Sequence, residues 1–287
     1  MENIPIRSIK TTQQESDFSE SFRIRDVQGI LAGKDMVQEI HRHDFFFILA
    51  LNKGRGNHEI DFKPYQVADH SIFMMRPGQV HRLSLKSKSE GYLMEFKTNF
   101  YHPLDMLSNQ LLRRASSKNL CRTEKTEFKK LLDILTFIFR EYTDKQEQYQ
   151  EVIKANLAIF FIELVRNRQN SKDQLDNTNT YEQIRIEEFF ELLELNINKV
   201  KQVSLYADML NLSTYQLNAV AKATHGKTCS ELINEYIILE SKRYLLATPN
   251  QVNQIAYSLG YEDVSYFIRF FKKRTGYSPE AFRNNSK

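Results

Sequence analysis

The chain has 287 residues, 41% of them hydrophobic, which is enough apolar side chain to bury two cores. The longest apolar run, Phe45 to Leu51, is too short to span a bilayer, and residues 1–20 lack the charged start and apolar core of a secretion signal; the expectation is a soluble, cytoplasmic protein with no membrane partner. The net charge of +4 is uneven: residues 197–287 carry 12 Lys and Arg against 7 Asp and Glu, and residues 1–196 carry 28 against 29, so phosphate binding is expected of the C-terminal part alone. Cys121 and Cys229 stand too far apart for a disulfide framework or a thiol metal site.

From Phe22 to Phe96 the chain reads as short strands broken by Gly, Pro and Asn: FRIRDVQGIL, FFFILAL, NHEIDFK, SIFMM, VHRLSL and GYLMEF. In NHEIDFK, His58, Ile60 and Phe62 alternate with Glu59 and Asp61, the pattern of a half-buried strand. Many short strands imply a closed sandwich or barrel. From Tyr101 to Asn167 the period becomes helical. Phe128, Leu131, Leu132, Leu135, Ile138 and Phe139 make one stripe, and Val152, Leu157, Ile159, Phe160, Ile162, Leu164 and Val165 make a broader one. A stripe that wide fits two contacts, so a homodimer through residues 147–166 is expected besides cover for the barrel. Residues 168–180, RQNSKDQLDNTNT, read as a polar linker. The expected domains are therefore 1–167 (barrel about 20–97, helices about 101–167) and, after the linker, an all-α domain over 181–287.

That second domain opens with a helix over 181–195 burying Ile184, Phe189, Leu192 and Leu193. Its most informative stretch is Ile255 to Phe282, IAYSLGYEDVSYFIRFFKKRTGYSPEAF. Ile255, Ala256 and Leu259 lie on one side of a short helix, and Gly260 supplies the left-handed backbone of a sharp turn. Asp263 caps a second helix that turns Phe267, Phe270 and Phe271 inward and Ser265, Ile268, Arg269 and Lys272 outward. This is a helix-turn-helix, whose second helix can enter a DNA major groove. The pattern occurs twice. Ser213, Thr214, Tyr215, Leu217, Val220, Lys222 and Gly226 correspond to Asp263, Val264, Ser265, Phe267, Phe270, Lys272 and Gly276, and the turn Asn211-Leu212 is one residue shorter than Gly260-Tyr261-Glu262.

The tandem units, with INEYIILESKRYLLAT (233–248) as a connecting helix between them, resemble the AraC/XylS family of bacterial transcription regulators over roughly residues 181–284. The resemblance implies double-stranded DNA as partner, two recognition helices in successive major-groove segments, an N-terminal sensor for a small-molecule effector, a homodimer, and RNA polymerase as a further partner if the outcome is activation. Three positions depart from the family pattern, Ala219 and Ala221 in the first unit and, in the second, Ile268 in place of a residue that is often small and polar. Ala219 and Ala221 stand where an Arg and a Phe are frequent, so the second unit is expected to have the better packed core. DNA contacts are expected from Ser213, Thr214, Tyr215, Asn218 and Lys222 in the first unit and from Asp263, Val264, Ser265, Ile268, Arg269, Lys272 and Lys273 in the second, with Ile268 against a thymine methyl.

His41-Arg42-His43 and Pro77-Gly78-Gln79-Val80-His81 resemble the two motifs of a cupin jelly roll, degenerate here because Phe46, Phe47 and Ile48 replace the metal-binding Glu. The expectation is that His41, His43, His58 and His81 line an effector pocket, with no metal, no other cofactor and no catalytic residue. Two other readings stay open: a metal-dependent cupin enzyme fused to a DNA-binding domain, and a constitutive DNA-binding dimer without effector.

Overall fold

Short extended runs separated by turn residues pair into two five-stranded sheets. The computed structural model describes residues 6–7, 21–101, 106–170 and 180–285, which form two compact units parting between Gln174 and Leu175. In the first unit the strands are β1 (Ile6–Arg7), β2 (Phe22–Asp26), β3 (Met36–His43), β4 (Phe46–Lys53), β5 (Gly56–Ile60), β6 (Lys63–Val67), β7 (Ser71–Met75), β8 (Val80–Leu85), β9 (Glu90–Phe96) and β10 (Leu120–Arg122). One sheet runs β1-β3-β8-β5-β6 and the other β10-β7-β4-β9-β2. The helices of this unit are α1 (Val27–Leu31), α2 (Met106–Ser116), α3 (Lys125–Asp144) and α4 (Tyr149–Asn170).

The unbroken apolar run of β4 follows from its burial on both faces. Successive side chains of a strand point to opposite sides. Phe47, Leu49 and Leu51 enter a core between the sheets with Ile60, Phe73, Met75 and Leu83. Phe46, Ile48 and Ala50 enter a second core with Leu131, Leu135 and Ile138 of α3 and Leu157, Phe160 and Leu164 of α4. Each large apolar side chain that this second layer removes from water contributes about 1.5–3 kcal/mol.

Three expectations for this unit change. FRIRDVQGIL is a strand only as far as Asp26, whose carboxylate accepts from Gly29 N at 2.7 Å and caps α1. NHEIDFK is not one strand: Asp61 (φ 48°) and Phe62 (φ 66°) form a two-residue hairpin turn, and Phe62 leaves the strand pattern. The chain continues into β6, KPYQV, which was not among the expected strands; β6 is a sheet edge, where the backbone donor missing at Pro64 costs least. The expected linker lies outside the described residues over 171–179. At its start the chain is still in α4, where the buried Arg168 donates to the carbonyls of Arg114 (3.0 Å) and Ala115 (2.6 Å) in the last turn of α2 and of Lys118 (2.8 Å) just after it.

The second unit comprises α5 (Thr180–Asn196), α6 (Val203–Met209), α7 (Thr214–His225), α8 (Cys229–Ala247), α9 (Val252–Ser258), α10 (Val264–Thr275) and α11 (Pro279–Asn285). Helix α5 buries Ile186, Phe189 and Leu193, with Ile184 only half-buried. The connecting helix α8 begins earlier than expected, because Thr228 and Glu231 form a capping box ahead of it. Arg283 fastens α11 to the far end of α8, donating from Nε to Leu245 O (2.9 Å) and from Nη2 to Asn250 O (2.6 Å).

Candidate DNA interface and the barrel histidines

The two helix-turn-helix units are built by the same backbone bonds. In the first, Leu212 N donates to Ala207 O at 2.9 Å; in the second, Tyr261 N donates to Ala256 O at 2.9 Å. The left-handed residue of the turn is Asn211 (φ 54°) in one and Gly260 (φ 71°) in the other. Both recognition helices end on a glycine, Gly226 N bonding Lys222 O and Gly276 N bonding Lys272 O, each at 2.9 Å. Leu217 and Ala221 are buried beneath α7, and Phe267 and Phe271 beneath α10, so the second unit fills with aromatic rings the place that Ala221 leaves small in the first. The turn of the second unit is also gripped from outside. Lys201 Nζ donates to Gly260 O at 2.9 Å and its ammonium sits 4.7 Å from the Tyr261 ring centre.

The outward faces differ. On α10, Ser265, Arg269, Lys272 and Lys273 are exposed, with Arg274 beside them. On α7 the exposed positions are Thr214, Tyr215, Gln216, Ala219, Lys222, Ala223 and His225. Tyr215 is 83% exposed, which an aromatic ring keeps only at a cost in water. Arg269 Nη2 lies 3.7 Å from Asp263 Oδ2, a solvated pair that orients the guanidinium loosely.

Several expected contact residues are engaged within the protein. Ser213 Oγ accepts from Gln216 N (3.2 Å) while Gln216 Oε1 accepts from Ser213 N (2.9 Å), and Asp263 Oδ1 accepts from Ser265 N (2.7 Å). Both residues therefore act as helix caps. Asn218 donates from Nδ2 to Thr214 O (2.9 Å) and accepts on Oδ1 from Cys229 N (2.9 Å), so its amide joins α7 to α8. Ile268, expected outward, is half-buried against the core beside Phe270, and Val264 is half-buried too. Tyr266, which sequence reasoning did not single out, is 55% exposed one turn ahead of Arg269. Its position on the outer side of α10 was the available signal.

The four barrel histidines come together. His41 and His43, two apart on β3, share a face, and β3 pairs with β8 so that His41 lies opposite His81. A register shift between Gln38 and His41 precedes them. His81 Nε2 is 2.9 Å from His41 Nε2 and 2.8 Å from His43 Nε2, and His81 Nδ1 is 2.8 Å from His58 Nε2 on β5. His41 Nδ1 reaches Glu39 O at 2.6 Å. All four are buried, and Phe45, Phe47 and Phe73 stack around them. Burial, then the charge of His41, pushes His58 down to about 3. The histidines thus form a packed cluster joined through His81. Both thiols are buried as well; burial raises Cys121 and pushes Cys229 up to about 11, leaving neither reactive.

A sandwich joined in sequence to paired helix-turn-helix units defines a DNA-binding transcription regulator with a sensor-type domain. Residues 206–285 match a family model described as a helix-turn-helix domain, and residues 30–118 match one described as an AraC-like ligand binding domain. Together they account for more than half of the chain, which belongs to the AraC family of transcription regulators. It is 25% identical over 250 residues to the HTH-type transcriptional activator RhaS of Escherichia fergusonii, covering 85% of this chain and 86% of that one. The bifunctional transcriptional activator/DNA repair enzyme AdaA of Bacillus subtilis is 32% identical over 97 residues; these are 34% of this chain and less than half, 46%, of that protein. Among solved structures, unsaturated fatty acid bound ToxT from Vibrio cholerae aligns over 95% of this chain and 97% of its own at 18% identity, with a TM-score of 0.42. No helix among the described residues is long and apolar enough to cross a membrane.

Proposed function

We propose that the protein is a sequence-specific transcription activator, working as a homodimer, whose N-terminal domain binds a small effector. The observation that carries the reading is the repeated helix-turn-helix with identical turn bonds and two outward helix faces. In this reading the two helices enter major-groove segments about 34 Å apart. The faces divide the work. Arg269 and Tyr266 read base edges, Lys272, Lys273 and Arg274 neutralise phosphates, and Thr214, Tyr215 and Lys222 make the lighter contacts of the first unit.

Dimerisation is supported by α4. Val152, Ala155, Ile159 and Ile162 recur at the three-four spacing of a helix–helix seam, Val152 half-buried and the other three exposed, while Leu157, Phe160 and Leu164 face the core. Activation is supported by the RhaS relatives, which are activators by name, and RNA polymerase is then the partner engaged at the promoter. The protein acts as a regulator and not as an enzyme. Genome-wide mapping of bound DNA, followed by selection from a randomised duplex pool, tests the reading. Enrichment of one motif with two recognition segments a helical turn apart is expected, and the absence of any enriched sequence would overturn it. A screen of small polar metabolites then separates an effector-controlled regulator from a constitutive one: a true effector raises the melting temperature and also changes operator affinity, since coupling between sites is reciprocal.

A further inference from the structure

We propose that Arg25 anchors an effector site on the inner face of the sandwich, and that the effector is a small molecule bearing a single carboxylate. The proposal rests on the reading of the N-terminal domain as a sensor and names the class of molecule sensed.

Strand register places the residues. Partners directly opposite one another on neighbouring strands share a face of their sheet. Across β2, β9 and β4, one row reads Arg25, Leu93, Leu49 and the next but one reads Arg23, Glu95, Phe47. Leu93, Leu49 and Phe47 belong to the core between the sheets, so Arg23, Arg25 and Glu95 stand on that same inner face. The inner faces of a sandwich are ordinarily apolar, and an ion pair placed there stabilises little compared with packed apolar side chains. Stability alone therefore does not account for three charged residues in this place.

The pair at the centre of the group is incomplete. Arg25 Nη2 donates to Glu95 Oε2 at 3.1 Å, with the Glu95 side chain 9% exposed and that of Arg25 35% exposed. Arg25 Nε is withdrawn from water and has no hydrogen-bond partner. Nε–H and one N–H of Nη2 leave the guanidinium side by side, a fork that fits the two oxygens of a carboxylate. Glu95 fills half of that fork. A second carboxylate entering at Nε completes it and satisfies a buried donor that is costly to leave unmade. Strand β2 is the last of its sheet, so the way in lies along the edge where Arg25 meets solvent.

Charge selects the class of ligand. The guanidinium groups of Arg23 and Arg25 against the one carboxylate of Glu95 leave a single positive charge, which a monoanion cancels. A cation is repelled, a neutral sugar leaves the charge unbalanced, and a phosphate dianion exceeds it. Leu49 and Phe47 on the same face keep the local dielectric low, which strengthens the contact, and give a carbon skeleton something to pack against.

The test uses the full-length protein, followed by thermal melting and calorimetric titration with lactate, gluconate, benzoate and hexanoate. Each is paired with its own amide, which keeps the shape and removes the charge. At least one carboxylate is expected to raise the melting temperature, with its amide binding at least about 10-fold more weakly. Arg25→Gln should abolish that binding, and Arg25→Lys should keep a weaker form, because the charge stays and the fork is lost. Glu95→Gln should tighten it several-fold by removing a competing anion, a gain that a residue needed only for folding would not give. The comparison of carboxylate with amide needs no variant, so it decides even if Arg25→Gln fails to fold. Amides that bind as well as their carboxylates, or carboxylate binding unchanged in folded Arg25→Gln, would refute the site and leave the sensor reading standing. Melting unmoved by every carboxylate of the series would also refute it, and the wider metabolite screen then decides the sensor reading separately.

Discussion

Gly260 and Gly276 share a left-handed backbone but differ in the space around them, so alanine at each position separates backbone strain from steric exclusion. At Gly276 (φ 83°) a Cβ would meet nothing within 4 Å. The expected cost of Gly276→Ala is the left-handed penalty, about 1–2 kcal/mol, less the 0.4–1 kcal/mol gained by restricting the unfolded chain, or about 1 kcal/mol net. At Gly260 (φ 71°) the Cβ would stand 1.9 Å from the backbone oxygen of Asn198, with Lys201 Nζ at 2.9 Å. Backbone cannot rotate aside as a side chain does, so the Asn198 segment must move by more than an ångström and surrender the Lys201 contacts. A total above about 3 kcal/mol follows for Gly260→Ala, among the larger single-site effects. Urea denaturation of residues 175–287, followed by far-ultraviolet circular dichroism, measures both. A Gly260→Ala midpoint equal to that of Gly276→Ala would show that the Asn198 contact does not constrain the turn.

Arg269→Ala should leave stability unchanged, since its pair with Asp263 is solvated, yet weaken DNA binding by about 1–3 kcal/mol and relax preference at one base position in duplex selection; unchanged affinity and preference would remove it from the reading surface. Lys273→Ala should weaken all sequences alike and reduce the slope of log affinity against log salt by about one. Ile159→Glu with Ile162→Glu should turn a sedimenting dimer into a folded monomer, because neither residue is needed by the core; a persistent dimer places the seam elsewhere. His58 should make the barrel acid-sensitive. Its folded pKa, about 3, is below the ordinary 6.5, so the unfolded chain binds the extra proton first: stability is full above pH 6.5 and falls as pH drops toward 3, by about 2 kcal/mol at pH 5. Calorimetric melting of the N-terminal transition at pH 7 and pH 5 checks this, and equal melting points would contradict it.

The helix-turn-helix units were legible because their information is local: apolar positions one turn apart, a left-handed residue, a cap, and a second copy. What escaped depended on partners distant in the chain. Asn218 reads as an exposed donor until Cys229, at the start of the next helix, takes its oxygen. Ile268 reads as outward until tertiary packing half-covers it. The strand KPYQV was not expected, and its Pro64 is tolerated because β6 lies at a sheet edge. The histidines were picked out one by one, but their convergence is set by the pairing of β3 with β8 and by the register shift before His41, neither of which has a local signature.

The grip of Lys201 and the Asn198 segment on the turn of the second unit also bears on how length is measured along the operator. A probe with two free tips adapts to any separation, whereas a caliper with a locked joint reports one. Lys201 lies just before α6 of the first unit and bonds the Gly260 carbonyl between α9 and α10, so it bridges the two reading heads directly, apart from the long helix α8. One added base pair between their targets displaces the second groove by about 3.4 Å and rotates it by about 35°. A locked joint cannot follow that screw motion. Spacing is then read as strictly as sequence, and a promoter with two good half-motifs in the wrong helical phase is silent.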